Sequence, residues 1–302
     1  MLIELAWKEM LADKKLEGLT PNSLRSYDSL WGTFSKYLQE MGIERTDQLN
    51  PRVIKGYLKW CEERGNNPVT INGKLKLLRA FGKWLHEEGI TEEYCCRNVK
   101  ALRVDESPRI VKEEDIRKAL SYLRRMKRRE DSFYAIRNHT IIIFLIGTGL
   151  RAGELCALNW EDIDWDESLI ILRKTKNRKL SSVPMSETVK SELSSWQAYV
   201  DRHFRERPKP LFCTREGERL TRNGIRLMFQ RLRERAGIEG TFCAHSMRNV
   251  FIKNLLKNNA NLREVQLLAR HSKIEVTKQY VGYFQHELKD AIDEHDPLKG
   301  LY

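Results

Sequence analysis

The sequence has no apolar run long enough to cross a bilayer. Its longest, Thr140 to Ile146, suits a buried helix or strand. No charged stretch followed by an apolar core opens the chain, so a cytoplasmic location is expected and no membrane partner. The six cysteines (Cys61, Cys95, Cys96, Cys156, Cys213 and Cys243) lack C-x-x-C spacing, which indicates neither a zinc site nor a disulfide framework. Adjacent Cys95 and Cys96 read as small buried apolar residues. No carboxylate cluster of the kind a metal-dependent nuclease or transposase needs is apparent, and no metal or cofactor is expected.

What the chain has is positive charge. Its 302 residues carry 54 Lys and Arg against 42 Asp and Glu, a formal net charge of +12, which favours a polyanionic partner over an uncharged one. Residues 1–100 hold nearly balanced charges, so the excess lies in the later part. A length of 302 residues allows two domains, each with its own core.

The first hundred residues are punctuated as a helical bundle. Thr20-Pro21 and Asn50-Pro51 are cap-then-proline starts, and Gly18, Gly42, Gly65 and Gly89 are stops. Four helices result, with no strand pattern. The last, from about Val69 to Glu88, places Ile71, Leu75, Leu78, Phe81 and Leu85 on one side. Lys76, Arg79 and Lys83 lie within about 60° of one another on the opposite side. Such a basic face suits a phosphate backbone, and it suits plain solvation equally well. Periodicity lapses from Asn98 to Val111, where Ser107-Pro108 breaks any helix. The expected organisation is a helical domain at 1–104, a linker at 105–111 and a second domain at 112–302.

The second part opens with helices over about Lys112–Arg129 and Tyr134–Ile146, then a sharp turn at Gly147-Thr148-Gly149. Arg151 follows in the run TGLRAGEL, pinned between a glycine turn and a new helix. Ser168–Leu172 and Leu180–Pro184 read as a β-hairpin whose tip, Lys174 to Lys179, is strongly basic. Helices over Ser186–Arg202 and Thr221–Ala236 come next, and then AHSMR, which sets His245 and Arg248 side by side at i and i+3. His271 and Tyr280 are nine apart, on opposite faces of any continuous helix. The chain is therefore expected to turn near Ser272 and carry Tyr280 on a separate terminal helix. Taken singly, each of these residues also admits a structural role.

As an ordered set, Arg151, a hairpin lysine, His245-x-x-Arg248, His271 and Tyr280 resemble the tyrosine recombinase/integrase family, and in particular its Xer-like members. The resemblance spans nearly the whole chain. It implies a mainly α fold with a small β-hairpin or sheet (α+β) in the catalytic domain, behind an N-terminal helical core-binding domain. It also implies that Arg151 and Arg248 grip the scissile phosphate, that Lys176 is the hairpin lysine, that His245 and His271 handle protons and that Tyr280 is the nucleophile. Glu154 would support Arg151. Lys76, Arg79, Lys83, Lys174 and Arg178 are candidate DNA contacts. Departures are Asn249 where the family has histidine, Arg270 where it has glycine, and Thr175 and Asn177 in place of hairpin glycines.

The implied reaction is site-specific recombination of double-stranded DNA through a 3′-phosphotyrosine, serving dimer resolution or mobile-element integration. The implied assembly is a synaptic tetramer, with the tail after Tyr280 as a protomer contact. A type IB topoisomerase-like enzyme and a non-catalytic DNA-binding protein on the same scaffold are the alternatives.

Overall fold

The structure is a computed structural model that describes residues 1–104, 111–173, 181–271, 274–278 and 280. It divides into two compact units, Met1–Asp105 and Glu106–Tyr302. The expected linker break at Ser107-Pro108 lies outside the described residues. Among the described residues no helix is long and apolar enough to cross a membrane.

The first unit contains α1 (Ile3–Leu16), α2 (Pro21–Glu40), α3 (Pro51–Glu63) and α4 (Pro68–Glu87). Their starts follow from local chemistry. The Thr20 side chain accepts from the Ser23 amide, Asn50 from Arg52 and Val53, and Asn67 from Thr70, each just before a proline that lacks an N–H to satisfy. Each helix ends two residues before one of the glycine stops. Trp7 anchors the core, stacked on Trp31 at 5.1 Å and edge-on to Phe81 at 4.8 Å. Burying a side chain of this kind contributes about 1.5–3 kcal/mol.

Helix α4 has the two faces expected. Ile71, Leu75, Leu78, Phe81 and Leu85 are buried, while Lys76, Arg79 and Lys83 are exposed. Two of the three cations have partners: Lys83 lies 3.3 Å from Glu87, and Arg79 donates to the Val99 carbonyl at 2.6 Å. Lys74 stands off this face, its ammonium 5.6 Å from the Tyr57 ring centroid.

In the second unit α5 (Glu113–Glu130) precedes α6 (Phe133–Thr148), which is apolar nearly all round and packs against α5, α8 (Glu187–His203) and α10 (Ala244–Lys257). α6 runs through Gly147, so the turn is made by Gly149 alone, at φ +60°. Space requires glycine there as well, because a Cβ would sit 2.3 Å from Cδ1 of Phe251. The short helix α7 (Ala152–Ala157) starts directly after the turn.

The hairpin is present as β2 (Leu169–Leu172) and β3 (Ser181–Pro184), antiparallel with Leu169 opposite Pro184. A third strand, β1 (Ile163–Asp164), pairs with β2 and makes a three-stranded sheet in the order β1-β2-β3. Two residues carry no periodicity, and only pairing makes them a strand. The remaining helices are α8 (Glu187–His203), α9 (Arg222–Arg235), α10 (Ala244–Lys257), α11 (Leu262–Leu268) and α12 (Glu275–Lys278).

Candidate active site

Arg151 caps the N-terminus of α7. Its amide donates to Oε2 of Glu154 and its guanidinium to Oε1, both at 2.9 Å. Glu154 is buried, and its Oε2 also accepts from Nη2 of Arg270 at 3.0 Å. Burial alone would raise the Glu154 pKa. The Arg151 amide and the charges of Arg270 and Arg151 outweigh it and hold the carboxyl below its usual range. One carboxylate thus serves two arginines.

The third arginine, Arg248, projects from α10 and is 3% exposed. Its guanidinium donates to the carbonyls of Gly149 and Ala269, at the ends of α6 and α11. Burial, and then the charges of Arg151 and Arg270, lower its pKa to about 10, which leaves it fully protonated at neutral pH. Arg151, Arg248 and Arg270 against Glu154 give the pocket a surplus of two positive charges. Partly buried, that surplus is costly unless an anion neutralises it.

Both histidines of the motifs are near these charges. His245 stands on the exposed side of the first turn of α10, and its pKa is lowered by partial desolvation and by Arg248 and Arg151. That of His271 falls to about 4, through burial first and then Arg248, Arg151, Arg270 and His245. His271 is therefore neutral at pH 7 and able to accept a proton. Its Nδ1 lies 2.8 Å from Oγ1 of Thr277, a fully buried hydroxyl that fixes the ring. Nothing in the sequence marked Thr277, because a separation of six matches no helical period.

The turn expected near Ser272 lies outside the described residues; Tyr280 follows α12 (Glu275–Lys278), and its amide donates to the Thr277 carbonyl at 3.1 Å. Among the described residues the chain leaves the helical path at Arg270, at φ +54°, and is helical again in α12. Tyr280 is buried with Phe251, Ile252, Val265 and Ala269. Its hydroxyl donates to Oδ1 of Asn249 at 2.9 Å. Asn249, noted in the sequence only as a departure, thus holds the phenol of the residue expected to be the nucleophile. Lys174, Lys176 and Arg178 lie outside the described residues. Arg151, Glu154, His245, Arg248, His271 and Tyr280 fall within one network of contacts and charge, built from the ends of α6, α7, α10, α11 and α12.

Comparison with known proteins matches residues 109–286 to the phage integrase family and residues 6–89 to the phage integrase N-terminal SAM-like domain. The chain belongs to the phage integrase family. It is similar to the tyrosine recombinase XerD of Oceanobacillus iheyensis, at 27% identity over 98% of this chain and 99% of that one. It is similar also to the tyrosine recombinase XerA of Thermococcus kodakarensis, at 26% identity over 95% and 93%. Among solved structures it resembles the Tn1549 transposon integrase in complex with transposon right end DNA. The TM-score is 0.78 and the identity 20%, over 93% of this chain and 94% of that one. XerH recombinase bound to palindromic difH substrate follows at a TM-score of 0.74 and 19% identity, over 92% and 81%. At these identities the structural likeness is one of fold, and it covers most of the chain.

Proposed function

We propose that this site breaks and rejoins DNA through a covalent 3′-phosphotyrosyl intermediate, with Tyr280 as nucleophile. Membership of the phage integrase family and similarity to Xer recombinases make the chain a DNA breaking–rejoining enzyme of site-specific recombination. The observation that carries the residue assignment is the pocket's surplus of two positive charges around buried Arg248.

Attack on a phosphodiester builds a five-coordinate phosphorus with added negative charge on its non-bridging oxygens. Guanidiniums that stay protonated, held in place beforehand, stabilise that charge as it develops. In this reading Arg151 and Arg248 grip those oxygens. A phenol with a pKa of about 10 attacks well only if its proton is accepted during attack. His245 or His271 can take that proton, because burial and then the neighbouring arginines lower both pKa values and leave the imidazoles neutral. The departing 5′ oxygen takes a proton from Lys176 or a histidine, each such transfer contributing roughly a hundred- to ten-thousand-fold in rate. The phosphotyrosyl ester keeps the energy of the broken bond, so a second 5′ hydroxyl reseals the strand without ATP.

The remaining parts of the reading are a double-stranded recombination site as substrate, recognised partly through Lys76, Arg79, Lys83, Lys174 and Arg178, and a synaptic tetramer. They also include a tail after Tyr280 that docks on a neighbouring protomer, domains at 1–104 and 112–302 joined by a linker, and a cytoplasmic location. The test is a nicked suicide substrate resolved on a denaturing gel in the presence of EDTA. Wild type is expected to form a covalent adduct and Tyr280→Phe none, with DNA binding retained. An adduct that persists in Tyr280→Phe but is lost in Tyr283→Phe would refute the assignment.

A further inference from the structure

The residue between Ala269 and His271 is an arginine in a backbone conformation that suits glycine. Arg270 sits at φ +54°, in the left-handed region where a side chain is disfavoured. The family resemblance places glycine at this position, as the backbone alone would dictate. The side chain is also mostly buried, only 12% exposed, although it carries a charge. Two unfavourable features at one residue call for a compensating role, and the contacts of the guanidinium supply one.

We propose that Arg270 is a positioning residue for DNA cleavage, which holds Glu154 so that Arg151 stays available to the scissile phosphate. The proposal rests on the functional reading above. Nη2 of Arg270 donates to Oε2 of Glu154 at 3.0 Å and reaches the Gly149 carbonyl at 3.5 Å, while Nη1 donates to the Leu268 carbonyl at 3.2 Å. Glu154 is thereby split: Oε1 goes to the Arg151 guanidinium, and Oε2 to the Arg151 amide and to Arg270. The Arg151 guanidinium is thus held by one oxygen only.

An unoccupied carboxylate beside an arginine tends to turn and engage it through both oxygens, the strongest arrangement for the pair. That would consume the paired N–H groups with which Arg151 could grip a phosphate, and it would neutralise the charge they bring. Arg270, together with the Arg151 amide, opposes this by occupying the second oxygen. It also adds a third cation to the pocket and raises the surplus from one to two, close to the charge of a phosphorane in the transition state. The Nε of Arg270 is buried without a hydrogen-bond partner among the described residues, so Glu154 does not exhaust this guanidinium.

The test compares wild type, Arg270→Gly and Arg270→Lys, as full chains, on two suicide substrates. One carries the natural scissile phosphate, and the other a methylphosphonate there, which is neutral and has less need of cationic neutralisation. Arg270→Gly relieves the backbone, so it should melt no lower than wild type and bind DNA within about threefold. Its rate of adduct formation on the natural phosphate should fall by about ten- to a hundredfold. On the methylphosphonate the fall should be about threefold or less, and Arg270→Lys should recover part of the loss on the natural phosphate. Wild-type cleavage rates in Arg270→Gly overturn the proposal, and so does an equal fall on both substrates, which would mark a merely architectural residue. Failure of wild type itself to form an adduct at Tyr280 would instead sink the functional reading.

Discussion

Gly149→Ala should be among the most damaging single-methyl changes in the second unit, for two reasons whose sizes are separable. The first is backbone: φ is +60°, where an alanine costs about 1–2 kcal/mol. The second is space, since the new Cβ would lie 2.3 Å from Cδ1 and 2.6 Å from Cε1 of the Phe251 ring. Overpacking of this kind costs about 1–3 kcal/mol. Together they come to about 2–5 kcal/mol, or a melting temperature lower by roughly 5–15 °C for a unit of this size. Phe251→Ala removes every ring atom that collides but leaves φ untouched. In the Gly149→Ala background it should therefore recover the packing share, a favourable coupling of about 1–3 kcal/mol in a double-mutant cycle. Urea denaturation of the four proteins measures it. A cost below about 0.5 kcal/mol for Gly149→Ala, or additive single effects, would refute the account of this turn.

Thr277→Val keeps the shape of the side chain and removes the hydroxyl 2.8 Å from Nδ1 of His271. DNA binding should survive while adduct formation slows by about tenfold, as a mis-set histidine requires, and a gel-shift assay beside the suicide substrate separates the two. His271 also makes stability depend on pH. Its folded pKa, about 4, is depressed below the ordinary 6.5, so the stabilisation is full above 6.5. It is lost as pH falls from 6.5 toward 4, because the unfolded chain takes up the proton first. Thermal melts should show the decline, and His271→Asn should flatten it.

Much of the fold could be read from residues that act on their neighbours. Thr20-Pro21, Asn50-Pro51 and the glycine stops bound α2, α3 and α4 because caps and breakers work over three or four positions. The exposed and buried faces of α4 follow from period alone. What escaped needed the chain to fold first. β1 is a strand only through its pairing with β2. The turn before Arg151 rests on Gly149, at φ +60°, and not on Gly147, which stays inside α6 and is glycine because Val189 leaves a Cβ no room. Arg151, His245, Arg248, His271 and Tyr280 stood out as an ordered set. Thr277 did not, and Asn249 and Arg270 did so only as departures, since their significance lies in contacts with His271, Tyr280 and Glu154 that no local spacing encodes.

The two carbonyls that hold Arg248 belong to the segments that carry Arg151 and His271. The side chain proposed to grip the phosphate is also the knot that ties this corner of the unit together. Local unfolding there would disperse Arg151, Arg248 and His271 in one event. For an enzyme that opens DNA strands this linkage is protective: a partly unfolded copy loses its power to cut at the moment it loses the geometry needed to reseal.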